Sequence, residues 1–224
     1  MPILVSDLDG TLIDIRDRFL HSQINALANF GYTIAFEQVE PFVEIVMDYE
    51  RFLNELDITL SQEHYIEYLL SIEQEFYKGW QHSYVFPGVI KALKSIRPQV
   101  DGLRLITSRA WVEETRAEVQ HFGLDQVFDR PVFTRGDLAR YEGVDEVPFY
   151  PYADHRQRLI QLAIADLVNK DDVWVIGDFP NEMQVAQSLG FTTVGVLTGF
   201  INPEALQPYC THIIDSVAQI GSLL

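Results

Sequence analysis

The chain has 224 residues, of which 47% are hydrophobic and 22% charged, proportions that suit one globular domain or a core domain carrying a smaller insertion. Its 33 acids against 16 bases leave a net charge of −17 with no basic patch, which argues against nucleic-acid binding. No apolar stretch approaches the roughly 18 residues of a membrane span, no basic leader opens the chain, and the single cysteine, Cys210, can close no intrachain disulfide; a cytoplasmic protein with no membrane partner is expected.

Ile3-Leu4-Val5-Ser6 opens with a short apolar run that reads as a buried strand, and Asp7-Leu8-Asp9-Gly10-Thr11 follows it directly. In an open parallel sheet, ligands bind beyond the carboxyl ends of the strands, where these two acids fall. Paired carboxylates at such a place can bind a hard metal, attack as a nucleophile or move protons. They can also simply cap local backbone amides. Gly10 lets the backbone turn sharply or approach a ligand closely.

Asp14 to Phe30 is predicted as a helix stopped by Gly31. From Phe36 to about Trp80 the pattern stays helical, with Phe42, Val46 and Leu53 on one apolar face and Tyr65, Leu69, Ile72 and Phe76 on another. Thr59 with Gln62 reads as the capping box of the last of these helices. Pro87 fits the first turn of a helix through Ile90, Leu93 and Ile96. Leu103 to Thr107 is a second strand ending in Thr107-Ser108-Arg109, and a helix from about Trp111 to Phe122 follows it. Pro131 to Thr134 is a short third strand. Arg135 to Tyr152, with Gly136, Gly143, Pro148 and Pro151, reads as a long polar loop. Asp154 with Gln157 is a capping-box signature opening a helix through Leu159, Leu162 and Ala163. Val173 to Ile176 is a fourth strand ending in Gly177-Asp178, a helix runs from Pro180 to Leu189, Phe191 to Leu197 is a fifth strand, and Ile213-Ile214 a short sixth. Alternating strands and helices imply a Rossmann-like α/β core with a parallel sheet covered on both faces.

Three strand tips then carry polar groups on one expected edge of the sheet: Asp7 and Asp9, Thr107 and Ser108, and Asp178 with Glu182 one turn on. With these residues in view, the chain resembles the haloacid dehalogenase-like hydrolase superfamily, most of whose members are phosphatases. Asp7-Leu8-Asp9-Gly10-Thr11 matches that family's first motif, Leu105-Ile106-Thr107-Ser108 its second, and Gly177-Asp178 with Glu182 its fourth. The resemblance implies a core domain of residues 1–14 and 85–224 and an inserted helical cap domain of residues 15–84. It implies that Asp7 is a nucleophile forming an aspartyl-phosphate and that Asp9 protonates the leaving oxygen and then activates water. Asp7, Asp178 and the Asp9 carbonyl would hold Mg²⁺, with Glu182 supporting the metal or its waters. Thr107, Ser108, Arg109 and Gly10 would line the phosphoryl group of a small phosphorylated metabolite.

The family's third motif is a lysine between the third and fourth strands. The lysines here are Lys78, Lys91, Lys94 and Lys170, and none stands there; the matching element falls near Tyr150-Pro151. Arg156 or Arg158, on the first turn of the following helix, is the expected substitute, although a rigid guanidinium fork differs from a point charge. The leading expectation is therefore a Mg²⁺-dependent phosphatase. The alternatives are a phosphomutase on the same scaffold and a catalytically weakened or inactive metal- or phosphate-binding protein. A phosphonate hydrolase is disfavoured because no lysine lies between residues 1 and 77.

Overall fold

The structure is a computed structural model describing residues 1–143, 152–167, 170 and 172–224. β1 (Ile3–Ser6) is buried along its whole length and leads through the acid-bearing loop into β2 (Ile13–Asp14). Then come α1 (Arg16–Ala28), α2 (Phe36–Val39), a 3-10 segment over Glu40–Ile45, α3 (Tyr49–Glu55) and α4 (Gln62–Lys78). β3 (Tyr84–Val85) pairs with β2. The remainder runs α5 (Val89–Ile96), β4 (Gly102–Thr107), α6 (Val112–His121), β5 (Phe133–Thr134), α7 (Arg135–Glu142) and α8 (Tyr152–Ala163). It closes with β6 (Val173–Gly177), α9 (Pro180–Ser188), β7 (Thr192–Val196), α10 (Pro203–Leu206) and β8 (His212–Ile214).

The chain divides into two units, Asp14–Tyr84 and the residues on either side, Met1–Ile13 with Val85–Leu224. In the larger unit six strands form one sheet in the order β5-β4-β1-β6-β7-β8, every neighbouring pair parallel. Helices on both faces explain why β1 and β6 read as near-continuous apolar runs. The exception is Arg104, buried in β4, whose charge is met by Asp129 at 2.8 Å and whose Nε donates to the Ala163 carbonyl at 3.1 Å. Register sets up the site: Ser6 faces Leu105 on one side and Ile176 on the other. The tips of β1, β4 and β6 therefore emerge side by side, and the Asp7 amide donates to the Ile176 carbonyl at 2.9 Å.

The smaller unit is helical and has its own core. Leu20, Ala26 and Leu27 of α1 and Tyr68, Ile72 and Phe76 of α4 are buried. Gln23 bridges these helices to the intervening segment: its side chain donates to the Val46 carbonyl at 2.9 Å and accepts from the Tyr68 hydroxyl. Arg18 is fully buried, with its guanidinium 3.8 Å over the Phe76 ring and Nε on the Phe76 carbonyl.

Local signals were misplaced in four places. Ser61, not Thr59, caps α4, its hydroxyl accepting from the His64 amide. Gly88, with φ +81°, is the cap of α5, so Pro87 stands before that helix. Asp154 lies in the first turn of α8, which begins at Tyr152. Most of all, the expected loop after residue 134 contains α7. Thr134 and Asp137 cap it reciprocally at 3.0 Å, and Gly143 closes it in the left-handed region. Gly136 does not break this helix; a Cβ there would lie 2.1 Å from the Ala110 carbonyl oxygen, so glycine is what lets α7 dock. Tyr150-Pro151, the expected place of the third motif, lies outside the described residues.

Candidate active site

Asp7 stands at the tip of β1, 4% exposed, and accepts a hydrogen bond from Arg156 Nη1 at 2.8 Å. The same nitrogen lies 3.2 Å from Glu182 Oε1. Arg156 comes from the first turns of α8, and Glu182 from the first turn of α9. One guanidinium nitrogen thus serves two buried carboxylates. Neither Glu182 oxygen accepts a hydrogen bond from any described residue, and no Cβ would fit on Gly177, where it would fall 2.2 Å from Glu182 Oε2.

Asp178 follows β6 and is almost as buried as Asp7. Thr11 donates to its Oδ1 at 3.1 Å. Gly10 and Gly199 pack directly on it: a Cβ would meet Asp178 Oδ2 at 2.4 Å from the first and 1.9 Å from the second. Gly10 also has φ +74°, which a side chain would strain. The Gly10 carbonyl accepts from Thr198 Oγ1 at 2.6 Å, tying the acid-bearing loop to the segment after β7.

Burial raises the Asp7 carboxyl above the usual carboxylate range, Arg156 pulling the other way. Asp178 is pushed up to about 8, first by burial and then by the charge of Asp7. Glu182 is raised well above its ordinary value by burial, again against the pull of Arg156. The site therefore crowds carboxylates that resist sharing their charge.

Asp9 is half-buried and is held by Arg109, whose Nε and Nη2 reach its two oxygens at 2.9 and 2.7 Å. Arg109 also pairs with Glu118 of α6 at 2.6 and 3.1 Å. Burial alone would lower the Arg109 pKa, but the charges of Asp9 and Glu118 raise it above the ordinary value. Thr107 is buried at the end of β4, with Oγ1 3.4 Å from Asp9 Oδ2. Ser108 Oγ lies 3.0 Å from Nε2 of the buried His155.

Of the residues expected at the site, the structure brings Asp7, Asp9, Gly10, Thr107, Ser108, Arg109, Arg156, Asp178 and Glu182 to one edge of the sheet. Arg158 goes elsewhere: its Nη2 pairs with Glu142 at 2.5 Å and its side chain is 40% exposed. Arg109, expected to line the phosphoryl group, is instead turned into the protein with its guanidinium between Asp9 and Glu118. Sequence reading overlooked His155, Glu118 and Gly199, and gave Thr11, a member of the first motif, no role of its own. Glu118 could have been found, because it lies on the same helical face as the buried Thr115 and Val119.

Among the described residues no three His, Cys, Asp or Glu side chains are grouped to hold a metal by themselves. Mg²⁺, however, usually takes only one or two carboxylates and keeps several waters. Asp7 and Asp178 could supply those two, and the Glu182 oxygens, ion-paired to Arg156 but accepting no hydrogen bond, and the raised pKa of Asp178 fit a place that a divalent cation would neutralise.

Acids at the tips of adjacent central strands of a parallel sheet define an α/β enzyme core whose site lies at the carboxyl edge. A family model for haloacid dehalogenase-like hydrolases matches residues 4–196, and the chain belongs to that family. Similar solved structures include a candidate phosphatase from Clostridium difficile, 20% identical with a TM-score of 0.77, covering 99% of this chain and 97% of that one. A predicted phosphoglycolate phosphatase from Haemophilus somnus is 17% identical with a TM-score of 0.73, covering 100% and 97%. A candidate beta-phosphoglucomutase from Thermotoga maritima is 18% identical with a TM-score of 0.66, covering 100% and 98%. These likenesses establish the fold. No curated protein matches the sequence. No helix among the described residues is long and apolar enough to cross a membrane.

Proposed function

We propose that this hydrolase is a phosphoric monoester phosphatase acting on a small phosphorylated metabolite, with Asp7 as nucleophile and Mg²⁺ as cofactor. The observation that carries the reading is the Arg156–Asp7 ion pair. It supplies a buried cation beside the first acid of the loop, the role the family resemblance gives to a lysine that the chain lacks.

Asp7 attacks phosphorus while Asp9 gives a proton to the departing ester oxygen, leaving an aspartyl-phosphate and a free alcohol. Asp9, now a carboxylate, takes a proton from water as the water oxygen bonds to phosphorus, releasing phosphate and restoring Asp7. Thr107 and Ser108, at the end of β4, hold the phosphoryl oxygens. Arg156 limits repulsion between Asp7 and the phosphate dianion and keeps Glu182 from standing uncompensated. Mg²⁺, when bound, would neutralise the incoming phosphate and polarise it toward attack; Asp7, Asp178 and the Asp9 carbonyl would hold it, with Glu182 behind.

In the same proposal the helical unit, Asp14–Tyr84, is a cap that excludes water and selects the substrate, and the protein is cytoplasmic. The test is phosphate release from a panel of phosphorylated metabolites with Mg²⁺, beside the same panel with Asp7→Asn. Turnover that disappears in the variant supports the reading. A wild-type protein that binds Mg²⁺ but releases phosphate from nothing would make it a binding module instead.

A further inference from the structure

Arg109 sits directly after the Thr107-Ser108 pair but does not present itself to a phosphate. Its guanidinium is buried and spans two carboxylates, with Nε and Nη2 on the oxygens of Asp9 and Nη1 and Nη2 on those of Glu118. Its own amide donates to Thr107 Oγ1 at 3.3 Å, and that hydroxyl lies 3.4 Å from Asp9. The loop that ends β4 therefore grips the side chain of the loop that ends β1.

We propose that Arg109, anchored from behind by Glu118, is the positioning residue that aims Asp9 at the leaving-group oxygen. The inference rests on Asp9 acting as the proton donor and acceptor of the phosphatase reaction proposed above. A bidentate guanidinium fixes the plane of a carboxylate as well as its place, which a lysine ammonium cannot do. Each carboxylate oxygen has two lone-pair directions. The fork takes one on each oxygen of Asp9 and the Thr107 hydroxyl donates to the second on Oδ2, which leaves the outer one on Oδ1 for the proton that is passed. In the first half-reaction that proton goes to the ester oxygen as its bond to phosphorus breaks and Asp7 bonds to phosphorus. In the second, the emptied position receives a proton from water. Buried ion groups of this kind contribute little net stability, so their effect lies in geometry, where a displacement of about 1 Å can cost about 100-fold in rate.

A leaving-group comparison separates this role from a merely structural one. Phenyl phosphate and p-nitrophenyl phosphate differ little in size, but phenolate, with a pKa of about 10, needs protonation far more than nitrophenolate does. Both esters are assayed with Mg²⁺ using the full chain, Arg109→Lys, Glu118→Gln, Asp9→Asn and the double variant Arg109→Lys/Asp9→Asn. Arg109→Lys and Glu118→Gln are expected to lower kcat for phenyl phosphate about tenfold more than for the nitro ester, with KM changing alike for both. The double variant is expected to be no slower than Asp9→Asn, since one function is lost once. Should Arg109→Lys fail to fold, Glu118→Gln carries the comparison, because it keeps the guanidinium and removes only its anchor charge. Equal losses on both esters, or additive losses in the double variant, overturn the positioning role. A wild-type protein inert toward both esters overturns instead the phosphatase reading on which the role rests.

Discussion

Replacing Arg156 by methionine removes a buried charge while keeping an unbranched side chain of related length. In the structure that charge faces Asp7 at 2.8 Å and Glu182 at 3.2 Å, with both carboxylates nearly sealed from water. Breaking a buried ion pair by deleting one partner costs about 3–5 kcal/mol, because the other charge is left uncompensated. Proton uptake offers a partial escape. Glu182 already has a raised pKa and Arg156 is what pulls it down, so the variant's Glu182 holds its proton to still higher pH. A carboxyl raised in the folded state favours folding below that pKa and loses its contribution as pH rises through it. The deficit of Arg156→Met relative to wild type therefore grows with pH: about 3 kcal/mol at pH 8 and a fraction of that at pH 5. For a chain of this size about 3 kcal/mol lowers Tm by about 6–12 °C. Thermal unfolding of both proteins at the two pH values, with chelator present, measures it. Equal Tm values at pH 8, or a deficit larger at pH 5 than at pH 8, would refute the reasoning.

The raised pKa of Asp178, about 8 in the fold against about 3.9 in an unfolded chain, makes the metal-free protein bind a proton on folding. Its stability should fall as pH rises from about 4 to 8, added Mg²⁺ should stabilise it more at pH 8 than at pH 5, and Asp178→Asn should weaken both effects, the raised carboxyls of Asp7 and Glu182 keeping the rest; thermal scans with Mg²⁺ or chelator read all three. Gly136→Ala sets a Cβ 2.1 Å from the backbone oxygen of Ala110. It should destabilise the protein by about 1–3 kcal/mol in urea unfolding, and an unchanged urea midpoint would show that α7 does not dock as described.

The strand tips were legible because two independent signals coincide there. β1, β4 and β6 are mostly apolar and buried on both faces, so their ends are easy to place, and the polar residues that follow are few. The arginines were not legible in the same way. An isolated arginine belongs at the surface unless its charge is paired, and the partners that pair these lie far off in sequence. Asp9 is 100 residues from Arg109 and Asp7 is 149 from Arg156, beyond the reach of periodicity. The choice between Arg156 and Arg158 did have a local answer. Arg156 lies three and four residues before the buried Leu159 and Ile160, on the stripe that faces the sheet. Arg158, two residues further along the helix, points to another side. α7 was hidden for a different reason: its helix signal is a reciprocal Thr134–Asp137 cap, and Gly136 beside it reads as a breaker until the Ala110 carbonyl that requires it is known.

Charge balance gives the strongest physical ground for a cation at this site. Asp7, Asp9, Glu118, Asp178 and Glu182 are buried or half-buried, and Arg109 and Arg156 are the bases paired with them. Were every carboxylate ionised, the cluster would carry a net negative charge and would repel a phosphate dianion. Two remedies exist, protons or a divalent cation, and the burial that raises the carboxyls of Asp178 and Glu182 favours the first where no cation is bound. Protons, however, disable what the proposed chemistry needs: a protonated Asp178 is a poor ligand, and proton sharing with Asp7 would blunt the nucleophile. A lysine at the third-motif position would place one charge beside Asp7. Arg156 instead bridges Asp7 and Glu182 through one nitrogen, leaving Asp178 as the buried acid without an arginine among the contacts described and so the natural seat for the proposed Mg²⁺.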